Sequence, residues 1–256
     1  MQQSRWNWHA VIVTALMCAW PAAASDHAPS AHGARSTPAL SPRSAAVVTL
    51  ADLIAGNGRF VRGKATHPHA GRDRLKELSA GQKPRVIVLS CADSRVPPEI
   101  VFDQGLGDIF TVRVAGQVLD GSTTSSIEYA VEHLGATLIV VMGHHGCGAV
   151  KAALTTASGK AGSRDLDELL DAIRPAVRKF GAPPADDKAF DAPVRANVDA
   201  VAAGLAKRSA IIRARVEREQ LTIIPAVYEL ASGVVSFWDY SSPVAASRDG
   251  MSPQHR

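Results

Sequence analysis

The chain has little net charge, few cysteines and no internal repeat. Its 256 residues include 28 basic and 24 acidic side chains, which give a formal charge of +4 at pH 7. So small an excess does not indicate a nucleic acid or an anionic membrane as partner, because such partners select strongly basic surfaces. The three cysteines are Cys18, Cys91 and Cys147, so at most one disulfide can form within the chain.

Both ends of the chain differ in composition from its middle. Residues 1–24 hold one basic side chain, Arg5, followed by an apolar stretch and a run of small residues, a pattern typical of a cleaved secretory signal peptide. Residues 25–46 and 245–256 have almost no large apolar side chains, and we expect a flexible leader and a flexible tail. One folded domain then remains over 47–244, in a periplasmic or secreted protein that has no membrane partner after signal cleavage.

The middle of the chain alternates apolar strands with helical segments. Three continuous apolar runs predict strands that are buried on both faces, at 85–90, 109–114 and 137–143. The pattern predicts two closing strands, at 221–228 and 234–239. Helices are predicted at 50–61, 73–80, 124–134, 146–157, 165–180 and 187–218. We therefore predict an α/β fold with a central, mostly parallel β-sheet flanked by helices.

Reactive side chains follow the first and the third of these strands. Cys91, Asp93 and Arg95 come directly after the first strand, and His144 and Cys147 come after the third. Because parallel strands of an open sheet present their carboxyl ends at one edge, we expect these groups to lie close together. Two thiolates and an imidazole suit Zn²⁺ and leave a fourth tetrahedral position, as catalytic zinc sites do, provided that Asp93 does not fill it.

Each of these residues also has a simpler interpretation. In an exported chain Cys91 and Cys147 could form a disulfide, and Asp93 and Arg95 could be a local ion pair. A disulfide gives no reason for His144 three residues before Cys147, nor for Asp93 two residues after Cys91. The metal site therefore accounts better for the whole pattern.

These motifs resemble those of the β-class carbonic anhydrases. The pairing of Cys-x-Asp-x-Arg with His-x-x-Cys at this separation is highly specific, and the likeness covers nearly the whole folded domain. The matching stretches are 81–84, 91–97, 112–116, 126–131 and 143–150. The resemblance implies zinc-dependent, reversible hydration of carbon dioxide to bicarbonate and a proton.

The resemblance also implies roles for the reactive residues. Cys91, His144 and Cys147 would be the zinc ligands, and Asp93 and Arg95 the catalytic dyad. Arg95 would hold Asp93 away from the metal; if Asp93 instead became a fourth ligand, the site would be closed. Since two thiolates cancel the charge of Zn²⁺, we expect activity to rise toward alkaline pH.

Four further residues would line the substrate pocket by the same resemblance. They are Gln82, Phe110, Tyr129 and Gly148, and Gln82 would donate a hydrogen bond to substrate from the neighbouring subunit. The N-terminal helices would pack on a dimer partner. The resemblance thus implies a homodimer, or dimers paired into a tetramer, with carbon dioxide and bicarbonate as small-molecule substrates.

Five other positions carry expectations of their own. Gln117 stands where the family usually has Asn, and we expect its longer amide to shift the loop and alter the rim of the site. Val88 stands where a Trp marks the members with an allosteric bicarbonate site, so we expect no such site. His145 should point away from the metal, while His67 and His69 should lie at the surface.

Two alternative functions remain open at this point. A hydrolase of carbon disulfide or carbonyl sulfide on the same scaffold would attack a linear heterocumulene in the same way. A non-catalytic, zinc-stabilised scaffold protein is the other alternative. The presence of Asp93 and Arg95 argues against the second, because a purely structural zinc site does not need them.

Overall fold

The computed structural model describes residues 40–181 and 190–238. The expected signal peptide, most of the leader and the tail fall outside these residues. The first helix begins at Pro42, before the boundary expected at 47, and Ala46 is already buried. Pro42 follows Ser41, whose hydroxyl accepts a hydrogen bond from the backbone N–H of Ser44 at 3.2 Å, and this pair is a typical helix start. The sequence boundary missed it because the first helical turn has no large apolar residue.

The described residues form one five-stranded sheet in the order β2-β1-β3-β4-β5. The first four strands are parallel and β5 runs antiparallel to β4, which confirms the predicted mostly parallel sheet. Every residue of β1 and β3 is buried, as their continuous apolar runs predict. The strands are β1 (Val86–Ser90), β2 (Ile109–Arg113), β3 (Leu138–His144), β4 (Thr222–Tyr228) and β5 (Val235–Phe237).

Helices flank this sheet, and they depart from the sequence prediction in two further places. The helix expected over 187–218 is interrupted at Ser209, which has extended φ/ψ of −112° and 121°. The Ser209 hydroxyl caps the next helix by accepting from the N–H of Ile212 at 3.1 Å. A short helix after Pro97 was not predicted. The helices are α1 (Pro42–Val61), α2 (Arg72–Leu78), α3 (Pro98–Val101), α4 (Gly121–His133), α5 (Gly148–Thr155), α6 (Arg164–Val177), α7 (Asp191–Arg208) and α8 (Ala210–Glu217).

The strand register places the ends of β1 and β3 side by side. Ser90 is the partner of Arg113 on β2 and of Met142 on β3. Cys91 therefore leaves the sheet directly beside the last residues of β3, which ends at His144. Within the described ranges, no helix combines the length and the apolar character that crossing a membrane requires.

A buried carboxylate ties α1 to the segment that follows α3. Asp103 has a left-handed φ of 45°, and its side chain accepts hydrogen bonds from the backbone N–H groups of Thr66 and His67 at 2.8–3.1 Å. Arg59 of α1 donates from Nε to Asp103 Oδ2 at 2.5 Å. These donors hold the pKa of Asp103 well below its usual range, against the burial that would raise it. His67 and His69 are exposed, as predicted.

Candidate metal centre

The side chains of Cys91, His144 and Cys147 converge at the carboxyl edge of the sheet. Their candidate ligand atoms all lie within 4.8 Å of one another. The three residues are buried, with exposed fractions of 4%, 0% and 1%. Both cysteines are free thiols, so the alternative of a disulfide between Cys91 and Cys147 does not describe this structure. The predicted convergence is present.

The imidazole of His144 is oriented to offer one nitrogen to a cation. Its Nδ1 lies 2.9 Å from the carbonyl oxygen of His145, so Nδ1 carries the proton and donates it. Nε2 is then the unprotonated nitrogen, and it is buried with no hydrogen-bond partner among the described residues. Buried polar atoms are rarely left unpaired, and a metal-ligating histidine commonly donates its other ring N–H to a carbonyl. This orphaned nitrogen fits a metal ion.

The pKa values of the two thiols are shifted in opposite directions. Hydrogen bonding from the neighbouring Cys147 side chain lowers the pKa of Cys91 to about 4, against desolvation and with help from two backbone N–H groups. Those N–H groups belong to Asp93 and Gly116, each 3.4 Å from Cys91 Sγ. The pKa of Cys147 is raised by its bond to Cys91 and by burial. The pair thus holds one proton that a soft divalent cation would displace.

This donor set fits zinc and leaves room for a fourth ligand. Two sulfur atoms and one imidazole nitrogen form a combination used by catalytic zinc sites, whose remaining position is taken by water or substrate. Cys147 is also the N-cap of α5, where the helix dipole favours a negative charge. We therefore take Cys91, His144 and Cys147 as the residues that would hold Zn²⁺.

Asp93 and Arg95 form a two-pronged ion pair beside the cluster. Arg95 donates from Nη2 to Asp93 Oδ2 at 2.7 Å and from Nε to Oδ1 at 2.9 Å. These hydrogen bonds hold the pKa of the Asp93 carboxyl well below its usual range. Asp93 Oδ2 lies 3.8 Å from His144 Nε2. The carboxylate is therefore ionised, adjacent to the cluster and bound to Arg95.

Sequence reasoning assigned no role to Arg113, which holds the loop that carries Cys91 and Asp93. Arg113 Nε donates to the carbonyl oxygen of Cys91 at 3.0 Å, and Nη2 donates to that of Asp93 at 2.6 Å. Arg113 ends β2 and is the register partner of Ser90. Its only sequence signal was that it lies within the 112–116 stretch that matches the family. The structure shows that it fixes the backbone on which both reactive side chains stand.

Of the predicted pocket residues, one protomer brings only Gly148 to this edge. Gly148 begins α5 directly after Cys147. Gln82 is exposed and precedes β1, at the amino edge of the sheet. Phe110 pairs with Ile87 near the start of β1, and the Tyr129 ring lies against it with ring centroids 6.5 Å apart. Gln82, Phe110 and Tyr129 therefore lie toward the opposite edge from the metal ligands.

His145 turns away from the cluster, as predicted. Its Nε2 lies 3.2 Å from Asp191 Oδ1, and its Nδ1 lies 2.5 Å from Glu229 Oε2. These groups and Arg95 line an open cavity of about 660 Å³. The outer face of Arg95 is thus exposed to a pocket with two carboxylates, while its inner face holds Asp93.

Gln117, expected to shift its loop and alter the rim of the site, lies in the interior of the fold. It has a left-handed φ of 45°, a conformation that Asn adopts more readily than Gln. The residue is 1% exposed, and within the described ranges neither amide atom has a hydrogen-bond partner. Its Nε2 lies 3.6 Å from the point where a Cβ on Gly143 would stand. Its effect on the loop stays a prediction.

Comparison with known proteins agrees with this geometry. The family model described as "Carbonic anhydrase" matches residues 86–235. Carbonic anhydrase 2 of Mycobacterium tuberculosis is 42% identical over 185 residues, which cover 71% of this chain and 87% of that protein. The carbonic anhydrase of Mycolicibacterium smegmatis is 40% identical over 198 residues, covering 76% and 94% of the two chains.

Solved structures also share the fold. The β-carbonic anhydrase CafA of Aspergillus fumigatus superposes with a TM-score of 0.60 at 27% identity, over 78% of this chain and 95% of that one. The sheet order, the convergent Cys-His-Cys set and the sequence relatives lead to one conclusion. The chain belongs to the β-class carbonic anhydrase family.

Proposed function

We propose that the protein catalyses the zinc-dependent, reversible hydration of carbon dioxide to bicarbonate and a proton. The observation that carries the proposal is a buried Cys91-His144-Cys147 donor set with an orphaned Nε2, next to an ionised carboxylate held by Arg95. Zinc, when bound, would supply the Lewis acidity that lowers the pKa of water and so makes a nucleophile from it. Family membership supports the same reaction.

Asp93 and Arg95 contribute orientation and charge. Because the Asp93 carboxyl is ionised at working pH, it accepts a hydrogen bond and cannot donate one. It can therefore orient a water molecule at the fourth position by accepting from it. Arg95 occupies both carboxylate oxygens and so opposes movement of Asp93 into that position.

A second copy of the chain would complete the substrate pocket. Gln82, Phe110 and Tyr129 lie toward the amino edge of the sheet, away from the metal ligands of the same protomer. The roles that the family resemblance gives these residues can be met if the amino edge of one protomer faces the carboxyl edge of another. We therefore propose a homodimer as the smallest active unit. Sedimentation measurements test whether two dimers pair into a tetramer.

We further propose that the enzyme is exported. The support is the composition of residues 1–24, with one basic residue followed by an apolar stretch and small residues. Cell fractionation and mass determination of the mature N-terminus test this. Recovery of the full-length chain in the cytoplasm would contradict it.

A carbon dioxide hydration assay with and without a chelator tests the activity. We expect turnover that disappears when zinc is removed and returns when it is added back, and we expect Cys91→Ser to abolish both zinc binding and turnover. Zinc-loaded protein that does not hydrate carbon dioxide would contradict the proposal. If such protein released hydrogen sulfide from carbon disulfide, the alternative hydrolase would replace it.

A further inference from the structure

A chain of two hydrogen bonds connects a buried asparagine on α7 to the metal centre. Asn197 is 0% exposed, and its Nδ2 donates to the carbonyl oxygen of Gly116 at 2.9 Å. The N–H of Gly116 in turn lies 3.4 Å from Sγ of Cys91 and donates to it. Asn197 thus reaches a candidate zinc ligand through one residue of a short turn, although 81 positions separate it from Gly116 in the sequence.

Gly116 has no side chain that could pack and hold its backbone in place, so its conformation depends on hydrogen bonds at its two peptide groups. It has a left-handed φ of 65°, and a Cβ there would lie 2.6 Å from Cδ1 of Ile173, so any side chain would strain the backbone and displace Ile173. The hydrogen bonds at its N–H and its carbonyl restrain the peptide groups on either side of it. Without the bond to Asn197, the turn would lose the restraint on its carbonyl side.

The helix that carries Asn197 is itself fixed against the sheet. Val194 and Val198 of α7 face Gly143, where a Cβ would lie 2.5 Å from Cγ2 of Val198. Gly143 directly precedes His144 on β3. So close an approach leaves α7 little freedom to move relative to the metal ligands, and Asn197 projects from a rigid base.

Asn197 is an unfavourable choice for a buried helix position apart from the hydrogen bond that it makes. Asn is a weak helix former, and burying its amide costs free energy unless the amide is hydrogen-bonded. Its Oδ1 has no partner in the part of the chain that the structure describes. An apolar residue of similar size would avoid that cost but would leave the buried carbonyl oxygen of Gly116 without its donor, so what the amide contributes is its hold on Gly116.

We propose that Asn197 is a positioning residue of the zinc centre, keeping the N–H of Gly116 directed at Cys91 Sγ. This hydrogen bond stabilises the negative charge of the thiolate and fixes the direction of its sulfur. The proposal rests on the proposed assignment of Cys91 as a zinc ligand. Groups that hydrogen-bond directly to a ligand typically change metal affinity about 10- to 100-fold when they are removed. Asn197 acts one residue further away, so we expect the lower end of that range.

The test compares Asn197→Leu with a matched packing variant of the same helix. Leu205 is also 0% exposed and lies two turns later on α7, so Leu205→Ala disturbs packing without touching this hydrogen-bond chain. We expect Asn197→Leu to lower zinc affinity about 10-fold in chelator competition, the lower end of the range for direct partners of a ligand. The thiolate-to-metal absorption of its cobalt-substituted form should also shift. Leu205→Ala should lower the melting temperature and leave zinc affinity within about twofold of the wild type, since it removes no group that orients a ligand.

Three outcomes would overturn the proposal. The first is folded Asn197→Leu protein that binds zinc as tightly as the wild type, and the second is an equal loss of affinity in Leu205→Ala. If Asn197→Leu does not fold, NMR of the wild type loaded with ¹¹³Cd replaces the comparison. The amide proton of Gly116 should then couple to the metal through Sγ of Cys91. The absence of this coupling is the third outcome that would overturn the proposal. Wild-type protein that binds no zinc, or Cys91→Ser that still binds it, would instead contradict the proposed function.

Discussion

Two aspartates of this chain, Asp93 and Asp103, are each paired with an arginine and each have a lowered pKa, yet they differ in freedom. Asp103 is buried and is held by Arg59 and by backbone N–H groups from a distant loop. Asp93 is partly exposed, and its two oxygens are held by Arg95 from the same loop. The same carboxylate–guanidinium pair thus ties distant segments together where backbone donors from elsewhere surround it, and stays a local pair where its own loop supplies the donors.

Asp93→Asn should separate the catalytic role of Asp93 from the structural role of Asp103 most clearly. The amide cannot serve as an ionised acceptor, and a preorganised hydrogen-bonding group at the reacting atoms typically contributes about 10²- to 10³-fold to the rate. We expect turnover to fall by that amount while the melting temperature and zinc content stay near those of the wild type. Stopped-flow hydration assays with metal analysis measure this. Near-normal turnover in zinc-loaded Asp93→Asn would remove the distinction.

Asp103→Asn should show the opposite pattern. Removing one partner of a buried ion pair typically costs 3–5 kcal/mol, and because Arg59 is partly exposed we expect the lower end, about 3 kcal/mol of unfolding free energy. Denaturant unfolding measures the loss. Turnover per zinc-loaded, folded molecule should be unchanged, and a large fall in turnover would show that Asp103 is not only an anchor.

Arg95→Ala should keep the Asp93 carboxylate but remove the guanidinium that holds it in place. Without the guanidinium, the carboxylate can move toward the fourth ligand position, and we expect turnover to fall about 10- to 100-fold, the loss typical of a group that orients others at a metal site. X-ray absorption on the zinc protein should show an added oxygen ligand in place of water. Unchanged turnover would contradict the proposed role of Arg95.

The smallest effect concerns pH and stability. Because the folded-state pKa of Asp103 lies below the unfolded value of about 3.9, its contribution is fully present above that value and is lost as pH falls toward the folded pKa. The stability difference between wild type and Asp103→Asn should therefore shrink from about pH 4 downward. Unfolding measurements on both proteins at matched pH test this, since effects of metal loss cancel in the difference. If the difference in unfolding free energy between the two proteins instead grew as the pH fell, the proposed stabilising role of ionised Asp103 would be contradicted.

The sequence predicted the sheet and the reactive edge because both depend on local pattern. Continuous apolar runs mark β1 and β3, and the register of parallel strands then brings Cys91 beside His144. The break at Ser209 was missed because the helical periodicity continues through it. The position of the break also depends on a tertiary contact that the sequence does not show: the Ser209 hydroxyl donates a hydrogen bond to Glu128 on α4 at 2.5 Å.

The supports of the metal centre could not be predicted in the same way. Arg113 and Asn197 act through backbone carbonyl groups, which leave no trace in the sequence of the partner residue. Their roles depend on where a strand end and a helix come to lie after folding. The proton position on His144 likewise depends on a carbonyl that the fold places 2.9 Å away.

The distance between Gln82 and the metal ligands within one protomer has a genetic consequence. If each pocket joins the carboxyl edge of one chain to the amino edge of another, two inactive variants can complement each other. A chain damaged at Cys91 and a chain damaged at Gln82, expressed together, would form mixed dimers with one doubly damaged pocket and one intact pocket. Two null alleles of the same gene would then restore carbon dioxide hydration that neither provides alone.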